Sequence, residues 1–271
     1  MIVFPNCKIN LGLNIIRKRE DDYHDLETIF FPIPFTDVLE IITSVNETAE
    51  FIVSGITLNQ DENNLCIKAY NLLKQDFPDL PAIKMHLHKV IPLGAGLGGG
   101  SSDAAFTLKL LSEKFNLDLK IEELLDYALR LGSDCPFFII NEPSFATSRG
   151  EILQPINIDL TNYKILMVNP GIHIDTRWAF SKIIPHAPNV SIKEVIKQPI
   201  ETWKDQLQND FEVPVFAEYP EIGKLKSELY QQGAVYASLS GSGSTVYGIF
   251  KKNDGVNISR WSNYFYKIID F

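Results

Sequence analysis

Pro92-Leu-Gly-Ala-Gly-Leu-Gly-Gly-Gly-Ser-Ser-Asp-Ala-Ala105 is the stretch that decides the fold. Its five glycines within seven residues let the backbone bend tightly and present N–H groups to an anion, and Ser101 and Ser102 add hydroxyl donors. Upstream, residues 82–90 alternate, with Ile83, Met85 and Leu87 on one face and Lys84, His86 and His88 on the other, which predicts a half-buried strand. Downstream, Ala104, Leu108, Leu111 and Phe115 form a helical stripe. A strand therefore enters the run and a helix starting near Ser102 leaves it. Exposed first-turn amides and the positive end of the helix dipole make such a junction favourable for phosphate. A flexible linker would not pass straight from an alternating strand into an amphipathic helix.

Two other nucleotide loops do not fit. Gly94, Gly96 and Gly99 satisfy G-x-G-x-x-G, but no acidic residue ends a second strand about 20 residues later, as a dinucleotide site requires. The run holds no lysine, so the string G-x-x-x-x-G-K-[ST] is absent.

Working outward, the first 60 residues read as short strands at 8–16, 27–33, 38–43 and 50–53, and residues 64–77 carry helical spacing. A further helix at 121–131 ends at Gly132. Asp134-Cys-Pro136 then forms a turn into the apolar run 137–140. Beyond residue 159 come strands at 163–168, 234–239, 245–250 and 264–270, a helix at 221–231 and the tight Ser240-Gly-Ser-Gly-Ser244. Adjacent strands with interleaved helices predict an α+β fold of two domains, residues 1–158 and 159–271, with antiparallel sheets covered by helices on one face.

Bulk properties narrow the function classes. The chain of 271 residues, 45% apolar, can form one large or two modest cores. A net charge of −9 works against general affinity for nucleic acid or anionic lipid. No stretch approaches the roughly 18 apolar residues of a spanning helix, and the start lacks the pattern of a signal peptide, so no membrane role and a cytoplasmic location are expected. Cys7, Cys66 and Cys135 are too scattered for a zinc site or a disulfide framework and are expected to be reduced thiols.

The glycine-serine run resembles the ATP loop of the GHMP kinase superfamily, Pro-x3-Gly-Leu-Gly-Ser-Ser-Ala-Ala. The resemblance continues in Lys8-Ile-Asn10, Tyr23-His24, Asn63-Asn64-Leu65, Leu131-Gly-Ser-Asp-Cys-Pro136, Arg149-Gly-Glu151, Asn169-Pro-Gly171, Asn209-Asp-Phe211 and the turn at 240–244. It implies an N-terminal ribosomal-protein-S5-like domain that binds ATP and catalyses, and a C-terminal ferredoxin-like α/β sandwich. It also implies transfer from ATP to a sugar-alcohol hydroxyl. By the same resemblance Pro92, Gly94, Ala95, Gly96, Leu97, Gly98, Gly99, Gly100, Ser101 and Ser102 hold the phosphates and Asn64 contacts adenine. Asp134 is the general base, and Lys8 beside it stabilises the phosphoryl charge. Tyr23 and His24 grip a cytosine, Phe180 closes its other face and Asn10 lies on the substrate side, so the acceptor is a cytidyl-bearing small molecule. Mg2+ is expected with ATP, but its ligands are not legible; a serine of the loop is the best guess.

Taken singly, these residues have plainer readings. Asp134 before Pro136 reads as a helix cap or turn former, and Lys8 as a solvated strand-face lysine. Asn10 reads as a structural hydrogen-bonder, Asn64 as an N-cap, Phe180 as core and residues 240–244 as a hairpin turn. Tyr23 and His24 follow a charged stretch that reads as a solvated loop. Asp22 stands where the family has glycine, which leaves the geometry of that turn open although aspartate tolerates the left-handed conformation. His86 and His88 are given no role. A homoserine, mevalonate or sugar kinase is the rival within the family, and a non-catalytic nucleotide-binding relative the rival outside it.

Overall fold

Among the described residues, alternation and helical spacing become three four-stranded sheets and a set of helices. The structure, a computed structural model, describes residues 1–46, 48–56 and 64–271. Its strands are β1 (Ile2–Val3), β2 (Asn6–Lys18), β3 (His24–Thr36), β4 (Val38–Thr43), β5 (Glu50–Gly55), β6 (Ile83–Lys89), β7 (Ser144–Ser148), β8 (Ile152–Pro155), β9 (Tyr163–Asn169), β10 (Tyr236–Leu239), β11 (Val246–Lys251) and β12 (Phe265–Asp270). Helices α1 (Leu65–Asp76), α2 (Gly99–Lys114), α3 (Ile121–Leu131) and α4 (Cys135–Ile140) precede β7. The described residues form two compact units: residues 1–7, 34–93 and 98–142 in the first, and 8–33, 94–97 and 143–271 in the second.

In the first unit the sheet order is β1-β4-β6-β5. Ile83, Met85 and Leu87 are buried as the alternation predicts, and α2 packs against β4. β4 and β6 are antiparallel, from Val38↔His88 to Thr43↔Ile83. β5 and β6 run parallel, from Glu50↔Lys84 to Gly55↔Lys89, which corrects the expectation of antiparallel sheets throughout. The physical reason lies in the connection: α1 separates the two strands, and a parallel pair needs a crossover of that kind. The apolar run 137–140 is the body of α4, with Pro136 in its first turn where a missing N–H costs nothing.

The second unit holds two sheets, β2-β3-β7-β8 and β10-β11-β9-β12. The latter is antiparallel throughout, with the first and third of its strands in chain order, β9 and β11, at the centre. That is the split β-α-β-β-α-β arrangement of ferredoxin-like folds. Here the second crossover is reduced to a 3-10 turn, Ile258–Trp261, whose tryptophan is fully buried. The helix Pro220–Gln231 buries Ile222, Leu225 and Leu229 at helical spacing into a core with Leu166, Val168 and Phe250. Two short helices, Thr176–Ser181 and Glu212–Glu218, have no clear periodic signal in the sequence.

Candidate active site

The helix after the glycine run begins at Gly99, earlier than the apolar stripe places it. Gly98 is its N-cap and adopts φ 68, a left-handed conformation that admits a side chain only with strain, so the chain turns into helix there. Gly99, Gly100 and Ser101 therefore supply the first-turn amides, while Ser102 N–H already donates to Gly98 O at 2.9 Å. Gly98 has no side chain to cap the helix, and first-turn amides have no intrahelical acceptor. A junction of this kind offers its free backbone amides to an anion. Ser102 Oγ is buried and makes no hydrogen bond, an orphaned oxygen at the helix start that fits phosphate or a cation accompanying it.

The middle of the run, residues 94–97, belongs to the second unit. Ser240 Oγ donates to Gly96 O at 2.8 Å, Thr245 N–H to Ala95 O at 3.2 Å and Lys8 N–H to Leu97 O at 3.0 Å. Gly96 sits at φ +76, and a Cβ there would lie 1.9 Å from Ser240 O. Only glycine permits that approach. Residues 240–244 are therefore more than a hairpin turn, and they are braced in their own right. Asn209 Nδ2 donates to Leu239 O and Gly241 O at 2.8 and 2.9 Å, and Asn169 Nδ2 donates to Ser244 Oγ and Thr245 Oγ1 at 3.3 and 3.0 Å.

Lys8 is 3% exposed, so the solvated-lysine reading fails. Its Nζ donates to Asn10 Oδ1 at 2.6 Å and lies 5.0 Å from the centre of the Phe30 ring. Asn10 Nδ2 donates to Thr28 Oγ1 at 2.9 Å, Thr28 Oγ1 to Gly12 O at 2.5 Å, and Tyr247 OH to Asn10 O at 2.7 Å. The lysine head is thus held in one position by two neighbouring strands. Asp134 occupies the N-cap position of α4 with helical φ and ψ, yet its side chain makes no capping hydrogen bond. Capping does not explain the carboxylate. Beside it, burial pushes the Cys135 thiol up to about 12, which leaves it inert as a nucleophile. All three cysteines are buried thiols outside any disulfide.

Asp22 adopts φ +64, so the turn that normally uses glycine keeps its left-handed form. His24 stacks on Phe180 with ring centres 5.0 Å apart and planes 22° from parallel. Tyr23 is 53% exposed, and the Arg149 guanidinium covers one face of its ring at 4.9 Å while Glu151 holds the arginine at 3.3 Å. The sequence singles out Arg149-Gly-Glu151 but gives no sign that it reaches Tyr23. Burial and the nearby Lys18 hold His24 below the usual histidine range.

Within the second unit the structure groups Lys8 with Asn10, His24 with Phe180 and Tyr23 with Arg149. Asn64, Pro92, residues 98–102 and Asp134 belong to the first unit. Asn64 Oδ1 caps α1, accepting from Cys66 N–H at 2.8 Å. Asn63 lies outside the described residues. His86 and His88 share the hydroxyl of Ser54 at 2.8 and 2.9 Å. Among the described residues, no cluster of three or more His, Cys, Asp or Glu side chains could hold a metal ion. Among them, too, no helix is long and apolar enough to cross a membrane.

The chain matches the family model for the GHMP kinases N terminal domain over residues 64–142 and that for GHMP kinases C terminal over residues 191–267. Together they span more than half of its length. The chain belongs to the GHMP kinases. Among relatives in this family, it is 55% identical over 254 residues to the 4-diphosphocytidyl-2-C-methyl-D-erythritol kinase of Azobacteroides pseudotrichonymphae, covering 93% of this chain and 94% of that one. It is 51% identical over 259 residues to the protein of the same name from Bacteroides fragilis, covering 94% of each. A crystal structure of 4-(cytidine 5'-diphospho)-2C-methyl-D-erythritol kinase aligns over 100% of both chains, with TM-score 0.82 and 26% identity. As a GHMP kinase, the protein is a phosphotransferase with ATP as donor.

Proposed function

We propose that this GHMP kinase transfers the γ-phosphoryl group of ATP to the 2-hydroxyl of 4-diphosphocytidyl-2-C-methyl-D-erythritol, a step of the non-mevalonate route to isoprenoid precursors. The observation that carries the choice of acceptor is the stack of His24 on Phe180, next in the chain to Tyr23, whose ring is exposed. A cytosine needs flat apolar surface for its faces and hydrogen-bonding groups for its edge. His24, held below its ordinary pKa, is neutral near pH 7 and offers one donor and one acceptor nitrogen.

Asp134 takes the proton of the acceptor hydroxyl as that oxygen bonds to the γ-phosphorus and the bond to the bridging oxygen of ADP breaks. Lys8, buried and fixed by Asn10, brings positive charge to the transferred group; a group held in place before the reaction needs no reorganisation during it. Asn10 carries a second role on the acceptor side, and Asn64 contacts adenine with the amide nitrogen that capping leaves over. The run 92–102 holds the phosphates through backbone N–H groups. Mg2+ neutralises phosphate charge when bound, and Ser102 Oγ is the oxygen that fits it. Residues 1–158 form the ATP-binding and catalytic domain and residues 159–271 the C-terminal domain; the two family matches fall on either side of that boundary. With two highly charged soluble substrates, the enzyme works in the cytoplasm.

The test is ADP release with Mg-ATP and a panel of acceptors: the diphosphocytidyl compound, methylerythritol phosphate without its cytidyl group, homoserine and mevalonate. Turnover is expected with the cytidyl compound alone. Equal turnover without the cytidyl group would overturn the assignment.

A further inference from the structure

One cluster of buried charges in the first unit takes no part in the chemistry above. Lys89, at the end of β6, is 1% exposed, and its ammonium meets two nearly fully buried carboxylates, Asp37 ahead of β4 and Asp103 in α2. Lys89 Nζ donates to Asp103 Oδ2 at 2.9 Å and to Asp37 Oδ2. Asp37 Oδ1 accepts from the N–H groups of Val90 at 2.6 Å and Ile91 at 2.9 Å. Burial alone would strip Lys89 of its charge, but the two carboxylates outweigh it and hold the lysine above its ordinary range.

These partners flank the glycine run. Val90 and Ile91 directly precede Pro92, and Asp103 directly follows Ser102. One ion cluster therefore ties the strand that enters the run to the helix that leaves it. Gly99 lets them come together, because a Cβ there would lie 2.9 Å from Lys89 Nζ. Stability does not account for such a cluster: a buried ion group is often no more stabilising than apolar side chains of the same volume, and Asp103 Oδ1 is left without a hydrogen bond.

We propose that Asp37, Lys89 and Asp103 are positioning residues that staple the two ends of the ATP loop at a fixed separation, and so set how its backbone amides meet the phosphates. This rests on residues 92–102 being the ATP loop. The staple acts on the donor, so its loss should change ATP use and leave the affinity for the cytidyl acceptor alone.

Asp103→Asn keeps the shape and removes one charge. With thermal unfolding as a check on folding, the expected result is a KM for ATP raised about tenfold, a lowered kcat and an acceptor KM within about twofold of wild type. A second variant, Lys89→Met with Asp37→Asn and Asp103→Leu, replaces the cluster by packed neutral groups. It should melt near the wild-type temperature and still show the raised KM for ATP. A folded variant of either kind with wild-type KM for ATP and kcat would overturn the staple. So would equal loss of affinity for donor and acceptor, the mark of a merely structural role. Binding of a fluorescent ATP analogue to the wild-type enzyme separates the two levels. No binding removes the loop assignment and the staple with it, whereas wild-type binding with an unchanged Asp103→Asn variant removes the staple alone.

Discussion

The glycine run at residues 92–102 and the turn at residues 22–24 each hold a ligand in the account above, and they are built in opposite ways. The run is made of backbone: Ala95 and Leu97 are 2% and 1% exposed, their carbonyls are bonded to Thr245 and Lys8, and the groups proposed to hold its ligand are amides. The turn is made of side chains set among charges, with Tyr23 half exposed. A backbone site cannot distinguish acceptors and serves any kinase reaction with ATP. A side-chain site can be altered without disturbing the donor. Donor chemistry and acceptor choice should therefore separate under mutation.

The largest effect belongs to neither region but to the chemistry they serve. Asp134→Asn is expected to lower kcat by about a thousandfold, the scale of a lost general base, with the acceptor Kd little changed; a near-normal kcat removes Asp134 from that role. On the donor side, Gly96→Ala forces a Cβ to within 1.9 Å of Ser240 O at a positive φ. The KM for ATP should rise by roughly ten- to a hundredfold while the acceptor KM holds. Equal changes in both would erase the contrast between the two regions.

Acidification probes the acceptor side more gently. Burial and then Lys18 lower the pKa of His24, so the folded enzyme favours the neutral ring. The stability from that preference is fully present above the ordinary histidine pKa, about 6.5, and is lost as the pH falls through the depressed value. Acceptor affinity should weaken over the same acid window while ATP affinity does not follow, and His24→Gln should flatten the acceptor profile. Titration calorimetry with each ligand at several pH values is the check. The smallest effect is expected from Asp22→Gly, which relaxes φ +64: a gain of up to about 1 kcal/mol in unfolding free energy with unchanged acceptor KM. A changed KM would show that Asp22 does more than hold the turn.

Much of this contrast was legible in the sequence, and the illegible part has a common cause. Alternation in residues 82–90, the glycines and the stripe beginning at Ala104 placed the donor loop between a strand and a helix, because those signals are local and periodic. The helix start was misplaced because Gly99, Gly100, Ser101 and Ser102 carry no apolar period, and only the left-handed Gly98 sets the boundary. The parallel pairing of β5 with β6 was hidden for a different reason: pairing direction depends on where a crossover returns. Arg149 over Tyr23, Ser240 on Gly96 and the cluster around Lys89 join residues far apart in the chain, and spacing does not report such contacts. For Lys8, position on a strand face suggested solvent, whereas the structure buries it on Asn10.

The separation of donor from acceptor is tested most directly by comparing kcat/KM for the cytidyl acceptor with that for the same acceptor lacking its cytidyl group, in wild type and in Tyr23→Ala. Wild type should prefer the cytidyl compound, and Tyr23→Ala should shrink that preference by about tenfold or more while the KM for ATP stays at its wild-type value. An undiminished preference, or a KM for ATP that rises in step, would contradict it.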